Sequence, residues 1–238
     1  MSLYCIADLH LSEASGKPMD VFGKSWQGYR NRIIDEWNAC VGSDDTVVIP
    51  GDVSWGLTLD EAIPDLKMID SLPGRKILIK GNHDLWWQSL TKISKALKDN
   101  GMETLSFLQN NAVRIGDYTV CGSRGWFNDG KKAPSGSDIK KITAREAIRL
   151  EMSLSDGEKK GGEKYVFLHF PPVYGGFVCE PIISVLKKYG VSRIWYGHLH
   201  NVPDVPQTIY HDGIEMVMIS ADRLGFRPYL ITNGGNNA

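Results

Sequence analysis

The chain lacks an excess of either charge, has few cysteines and contains no long apolar run. Its 27 basic and 28 acidic side chains leave a formal charge of −1 over 238 residues. That balance argues against nucleic acid as a partner, because phosphate backbones call for clustered Lys and Arg; a local basic patch stays open. Four cysteines, Cys5, Cys40, Cys121 and Cys179, are widely spaced and make no Cys-x-x-Cys pair. They read as small buried thiols in a reducing compartment. No apolar run approaches the roughly 20 residues of a membrane span, so no membrane partner is expected. The apolar stretch at residues 3–7 runs straight into Asp8 and His10, leaving no room for a cleaved signal peptide. A cytoplasmic location is the resulting expectation. No internal repeat and no domain-dividing linker is evident, and nothing in the chain reports its oligomeric state.

What is present is a regular alternation. Short β-branched runs at residues 3–7, 46–50 and 76–80 are separated by stretches with helical periodicity. Trp26, Tyr29, Ile33 and Trp37 recur at helical spacing, as do apolar positions over residues 59–69, and a third helix is expected over residues 85–97. This order predicts an α/β fold with parallel strands and helical crossovers. Later, residues 112–115 and 118–122 predict a hairpin across Gly116-Asp117. Further strands are expected at 166–169, 193–196, 216–220 and 226–231, with helices at 142–154 and 181–189. With 42% hydrophobic residues the chain can bury a sizeable core, and one domain over residues 1–231 is expected. Within it, residues 128–164 read as an inserted lid-like loop and helix. Residues 232–238, ending Asn233-Gly234-Gly235-Asn236-Asn237, read as a flexible tail.

The histidines are distributed unevenly. Five of the six lie in four motifs at expected strand ends: Asp8-Leu9-His10, Gly81-Asn82-His83-Asp84, His169 before Pro171-Pro172, and Gly197-His198-Leu199-His200. Gly51-Asp52 ends another strand, and His211, beside Asp212-Gly213, is read as a turn residue. Ligands of α/β sheets bind beyond the carboxyl ends of strands, and imidazole with carboxylate is a usual metal-ligand set. Singly the motifs are weak. Asp-x-His could be a surface ion pair, Gly-Asp is a common turn, and Asp84 could be a helix N-cap. Alternation places Asp8 and His10 on one strand face, and two histidines one residue apart after a glycine suit metal better than packing.

In this order the five elements resemble the calcineurin-like metallophosphoesterase superfamily, with its D-x-H, G-D, G-N-H-[DE], H and G-H-x-H pattern, over residues 8–200. The resemblance implies a four-layer α/β/β/α sandwich with two mixed β-sheets and a dinuclear metal site at the strand C-terminal ends. It implies a phosphohydrolase acting on a small phosphorylated metabolite or nucleotide through a metal-bridging hydroxide. By position, Asp8, His10 and His200 would hold one metal, Asn82, His169 and His198 the other, and Asp52 would bridge them. His83 would act over the scissile phosphate, with Asp84 orienting it. Two divalent ions would be needed, manganese first, with iron or zinc as alternatives.

The sequence departs from the protein-phosphatase branch. Gly51-Asp52-Val53-Ser54-Trp55-Gly56 lacks the second Asp and the Arg of G-D-x-x-D-R-G, and Lys80 stands where that branch has Arg before G-N-H. The closer likeness is to compact bacterial phosphohydrolases of unassigned substrate. Substrate contacts are sought in Arg124, flanked by glycines and suited to phosphate, and in Trp55 and Trp126; Arg124 reads equally well as a surface ion pair, and the tryptophans read more readily as core or rim packing. The cations Lys131, Lys132, Lys140, Lys141, Arg145 and Arg149 suggest a lid over an anionic substrate, while Asp138, Glu146 and Glu151 among them favour a solvated helix face. Two other functions compete: a nuclease or phosphodiesterase on nucleic acid, and a metal-poor scaffold, which would have eroded ligands.

Overall fold

The computed structural model describes residues 1–17, 19–126 and 136–232. Its first half runs β1 (Leu3–Cys5), α1 (Tyr29–Asn38), β2 (Thr46–Pro50), α2 (Leu59–Ser71), β3 (Arg75–Ile79), α3 (Leu90–Asp99) and β4 (Leu105–Phe107). The second half runs β5 (Val113–Ile115), β6 (Tyr118–Ser123), α4 (Gly136–Lys160), β7 (Glu163–Leu168), β8 (Val173–Tyr174), β9 (Phe177–Val178) and α5 (Glu180–Lys188). It ends with β10 (Arg193–Tyr196), β11 (Thr208–His211), β12 (Ile214–Met218) and β13 (Tyr229–Thr232).

Two mixed sheets result. One has the order β13-β1-β2-β3-β4, parallel except where β13 returns antiparallel to β1. The other is β11-β12-β10-β7-β6-β5, with a parallel centre and antiparallel edges β11 and β5. The period of two along each strand divides the core into three layers. On β2, Val47 and Ile49 face α1–α3, while Val48 packs against the second sheet. On β7, Phe167 meets the first sheet, while Val166 and Leu168 face α4 and α5. The architecture is therefore the four-layer α/β/β/α sandwich. Cys5, Cys121 and Cys179 are buried and Cys40 half-buried, all as free thiols. Among the described residues no helix is long and apolar enough to cross a membrane.

Differences from the sequence expectation have local causes. The third helix begins at Leu90 rather than at residue 85, because Asp84 spends its carboxylate on other backbone amides instead of capping a helix. Trp86 and Trp87 then occupy a buried turn. The α4 helix is longer than expected and forms part of an outer layer, burying Leu150 and Leu154 against the second sheet and α5. Lys131, Lys132 and the rest of the stretch 127–135, where the lid-like loop was expected, lie outside the described residues, as does the tail beyond Thr232. The strands β4, β8, β9 and β11 were not expected from the sequence, and His211 is the last residue of β11, paired with Ile214 across Asp212-Gly213.

Candidate metal centre

The two sheets meet at the site. Past β1 and β2 the chains continue side by side: the Asp8, His10 and Leu11 amides donate to the Gly51, Asp52 and Val53 carbonyls at 2.9–3.0 Å. Ala7 meanwhile pairs with the end of the second sheet, donating to the Ile219 carbonyl and accepting from the Ala221 amide at 2.9 Å each. This crossover brings Asp8, His10 and Asp52 to the strand ends that carry His169, His198 and His200. Two glycines make the approach feasible. A Cβ on Gly51 would stand 2.5 Å from His169 Nδ1. One on Gly197 would collide with Asp8 and Ala7.

Backbone strain gathers at the same place. Asp8, His10, Asp52 and His198 all have positive φ, between 46° and 73°, a region that L-residues occupy only at some cost. They are held there by hydrogen bonds: both Asp8 carboxylate oxygens accept the His198 amide, at 3.0 and 2.8 Å. Asp52 Oδ1 accepts the His83 amide at 2.7 Å.

Seven side chains expected as ligands converge. One ligand atom from each of Asp8, His10 and His200 lies within 4.8 Å of the other two, and the same holds for Asp52, His169 and His198. His10 Nε2 and His200 Nε2 face each other at 3.0 Å. Asn82 Oδ1 stands 2.7 Å from His169 Nε2. Asp52 Oδ2, facing His10 Nε2 at 3.7 Å and His169 Nε2 at 3.5 Å, lies between the groups and has no hydrogen-bond partner.

The donor chemistry fits cations. His169 is fully buried, and burial pushes its pKa down to about 3, so its ring is neutral. Its Nδ1 sits 3.1 Å from the Pro50 carbonyl oxygen and its Nε2 2.7 Å from Asn82 Oδ1, and a neutral ring has one proton for the two. One ring nitrogen therefore meets an oxygen with a bare lone pair, and with the proton on Nδ1 it is Nε2, beside the Asn82 and Asp52 oxygens, that is open to a cation. On the other side, burial disfavours an imidazolium at His200, yet Asp8 and Asp222 outweigh it and lift its pKa to about 10. A proton there balances the carboxylates, as a metal ion would. Burial, then the Asp8 and Asp84 carboxylates, push the Asp52 carboxyl well above its usual range, whereas at Asp8 burial is outweighed by His200 and the other histidines, which hold it low.

Aromatic rings wall the centre. His10 stacks on Trp55 at 4.9 Å and meets the edge of buried Trp26 at 6.1 Å. His83 packs on the same Trp55 at 4.2 Å, and burial lowers its pKa. Trp55 thus stands at the site. Trp126 and Arg124 stand one ring away, on Phe170, at 5.8 and 6.0 Å; Phe170 in turn lies 4.5 Å from the His198 ring.

Asp84 differs from its expected part. Its carboxylate goes to backbone, not to the His83 ring: Oδ2 accepts the Asp52 and Gly81 amides at 2.9 and 2.7 Å. Oδ1 accepts the Val53 and Ser54 amides and the Trp86 indole at 2.9, 3.3 and 3.1 Å. It therefore ties the Gly51-Asp52 loop to the Gly81-Asn82-His83 loop. The motif reading missed Asp222. Its Oδ1 lies 3.3 Å from His200 Nδ1 and its Oδ2 accepts the Asn201 amide at 2.9 Å, so it orients His200 Nε2 toward the centre. The signal that marked the other residues applied to it too, for Asp222 closely follows a strand end.

The family model for calcineurin-like phosphoesterases matches residues 1–202. Gene 66 protein of Mycobacterium phage L5 is 37% identical over 78 residues, covering 33% of this chain and 37% of that protein. Gene 66 protein of Mycobacterium phage D29 is 29% identical over 140 residues, 50% of this chain and 67% of that protein. The chain thus spans about a third to two thirds of the curated relatives' lengths. Phosphopantetheinyl hydrolase from Mycobacterium tuberculosis superposes with a TM-score of 0.51 at 16% identity, covering 100% of this chain and 98% of that one, a likeness of fold alone.

Proposed function

The chain belongs to the calcineurin-like phosphoesterase family, and from that premise we propose that it is a metal-dependent phosphoesterase hydrolysing a small phosphorylated metabolite or nucleotide. The observation that carries this reading is the convergence of carboxylate, imidazole and amide ligand atoms around Asp52 Oδ2, with His169 Nε2 and Asn82 Oδ1 2.7 Å apart. Asp8, His10 and His200 would hold one divalent ion, Asn82, His169 and His198 a second, and Asp52 would serve both. Mixed nitrogen and oxygen ligands suit manganese first, with iron or zinc as alternatives. Two such ions supply an activated water and Lewis-acid polarisation of phosphoryl oxygens.

The chain's own groups do the rest. His83 is kept out of the ligand set: its amide is tied to Asp52 Oδ1 and its ring lies on Trp55. Its imidazole N–H is free to donate to the leaving oxygen as negative charge develops there. Asp84 is a positioning residue, holding the two loops that present Asp52, Asn82 and His83. Trp55 and Trp26 exclude water from the His10 side and fix that ring. A metal-poor scaffold is disfavoured, since every ligand position of the pattern is filled.

His83→Ala is expected to lower kcat on p-nitrophenyl phosphate by about 10²–10⁴-fold, with metal content and KM close to wild type. Steady-state kinetics with metal analysis of the same samples checks this. A variant with unaltered kcat would remove His83 from the mechanism.

A further inference from the structure

Next to the metal centre lies a second polar cavity, of about 380 Å³, a size typical of small-ligand sites. It forms where β3 and β6 end beneath α4, and Lys80, Ser123, Arg124, Arg145, Glu146 and Arg149 line it. Arg145 and Arg149 are one helical turn apart and so share a face of α4.

The charges in this cavity do not balance. Lys80, Arg124, Arg145 and Arg149 face a single carboxylate, Glu146, which is fully buried. One oxygen, Oε1, takes both Arg149 at 2.6 Å and Arg124 at 3.3 Å, and Oε2 has no partner. Among the described residues no carboxylate stands within ion-pair distance of Lys80 or Arg145. The Arg124 Nε is buried and has no hydrogen-bond partner. A buried guanidinium donor left open among like charges is costly unless an anion completes it. Planar guanidinium forks match phosphate oxygens in pairs.

The cavity also adjoins the reacting centre. Lys80 immediately precedes Gly81-Asn82, and Phe170 lies between Arg124, 6.0 Å from its ring, and His198, 4.5 Å from it. Phe170 and the Lys80–Gly81 bond thus link the cavity's wall to the metal-centre residues. We propose that this cavity holds a second phosphate group of the substrate, so that the preferred substrate is a small molecule bearing two phosphates. One is cleaved at the metal centre, and the other is gripped by Arg124, Arg145, Arg149 and Lys80. The substrate's part in this rests on the phosphoesterase reading; the anion site does not.

Two arms test it on the full-length protein. In calorimetric titration with inorganic phosphate after chelation, the wild type binds one phosphate per chain. Arg145→Gln/Arg149→Gln then binds about tenfold more weakly or worse. Arg145 is exposed and has no ion-pair partner among the described residues, so Arg145→Gln alone, with an unchanged melting curve, gives the same direction free of any folding defect. In the metal-loaded enzyme, kcat/KM for a nucleoside 3′,5′-bisphosphate exceeds that for the matching 5′-monophosphate by about tenfold or more, and the ratio collapses toward one in the double variant. Absence of saturable phosphate binding, or binding indifferent to the substitutions, overturns the anion site. A ratio indifferent to them overturns its assignment to substrate. Loss of all wild-type turnover would instead refute the phosphoesterase reading, with the phosphate titration still deciding the cavity.

Discussion

Asp52→Asn lowers phosphoester hydrolysis by about 10²–10³-fold, the scale of losing one preorganised electrostatic group, while the protein stays folded. The amide keeps an oxygen to accept the His83 amide, as Oδ1 does at 2.7 Å. What it removes is the negative charge at Oδ2, the buried oxygen that faces both His10 and His169 without a hydrogen-bond partner. Burial and the Asp8 and Asp84 carboxylates already disfavour that charge in the metal-free protein. Its removal therefore leaves the metal-free melting temperature equal or higher. Loss of metal and activity together with an undiminished melting temperature is the expected signature. Wild-type kcat/KM with full metal content in the variant would contradict the shared-ligand assignment.

Asp84→Asn has the opposite signature, a large loss of stability. The carboxylate is fully buried and accepts five hydrogen bonds, three on Oδ1 and two on Oδ2. Asn offers one acceptor oxygen, and its amino group must point at amide hydrogens whichever way it turns. Keeping the oxygen on the Oδ1 side leaves the Asp52 and Gly81 amides unsatisfied. At about 1–3 kcal/mol for each buried orphan, the cost is about 2–6 kcal/mol. For a domain of this size that lowers Tm by about 4–24 °C. Thermal unfolding of chelated wild type and variant measures it, and a shift below about a degree would show that Asp84 does not hold the two loops together.

Much of this was legible in the chain because the two periodicities are strong there. Val47, Val48 and Ile49 alternate between two cores, and the helix pattern through Ile33 and Trp37 is carried by buried residues. The motif residues were legible for a related reason: Asp, His and Asn at strand ends have no packing role that would place them together by chance. Elsewhere local signals were overridden by distant partners. Asp84 looks like an N-cap or a partner for the next imidazole, but its acceptors are claimed by a loop some 30 residues earlier. Asp222 also follows a strand end but belongs to none of the five motifs, and its partner His200 comes to it only because β12 lies beside β10. Arg124 could be read as a clamp or as an ion pair, and it is paired with buried Glu146 while keeping an open Nε. Only the position of α4 reveals that combination.

The cluster around Asp52 is expected to hold two metal ions on which hydrolysis depends. The direct measurement is metal content by elemental analysis during stepwise manganese reconstitution of the chelated full-length protein, with p-nitrophenyl phosphate hydrolysis followed in the same samples. Saturation at about two ions per chain is expected, with activity that is lost on chelation and returns as the pair is completed. Saturation at one ion or none, or hydrolysis that survives complete chelation, would contradict it.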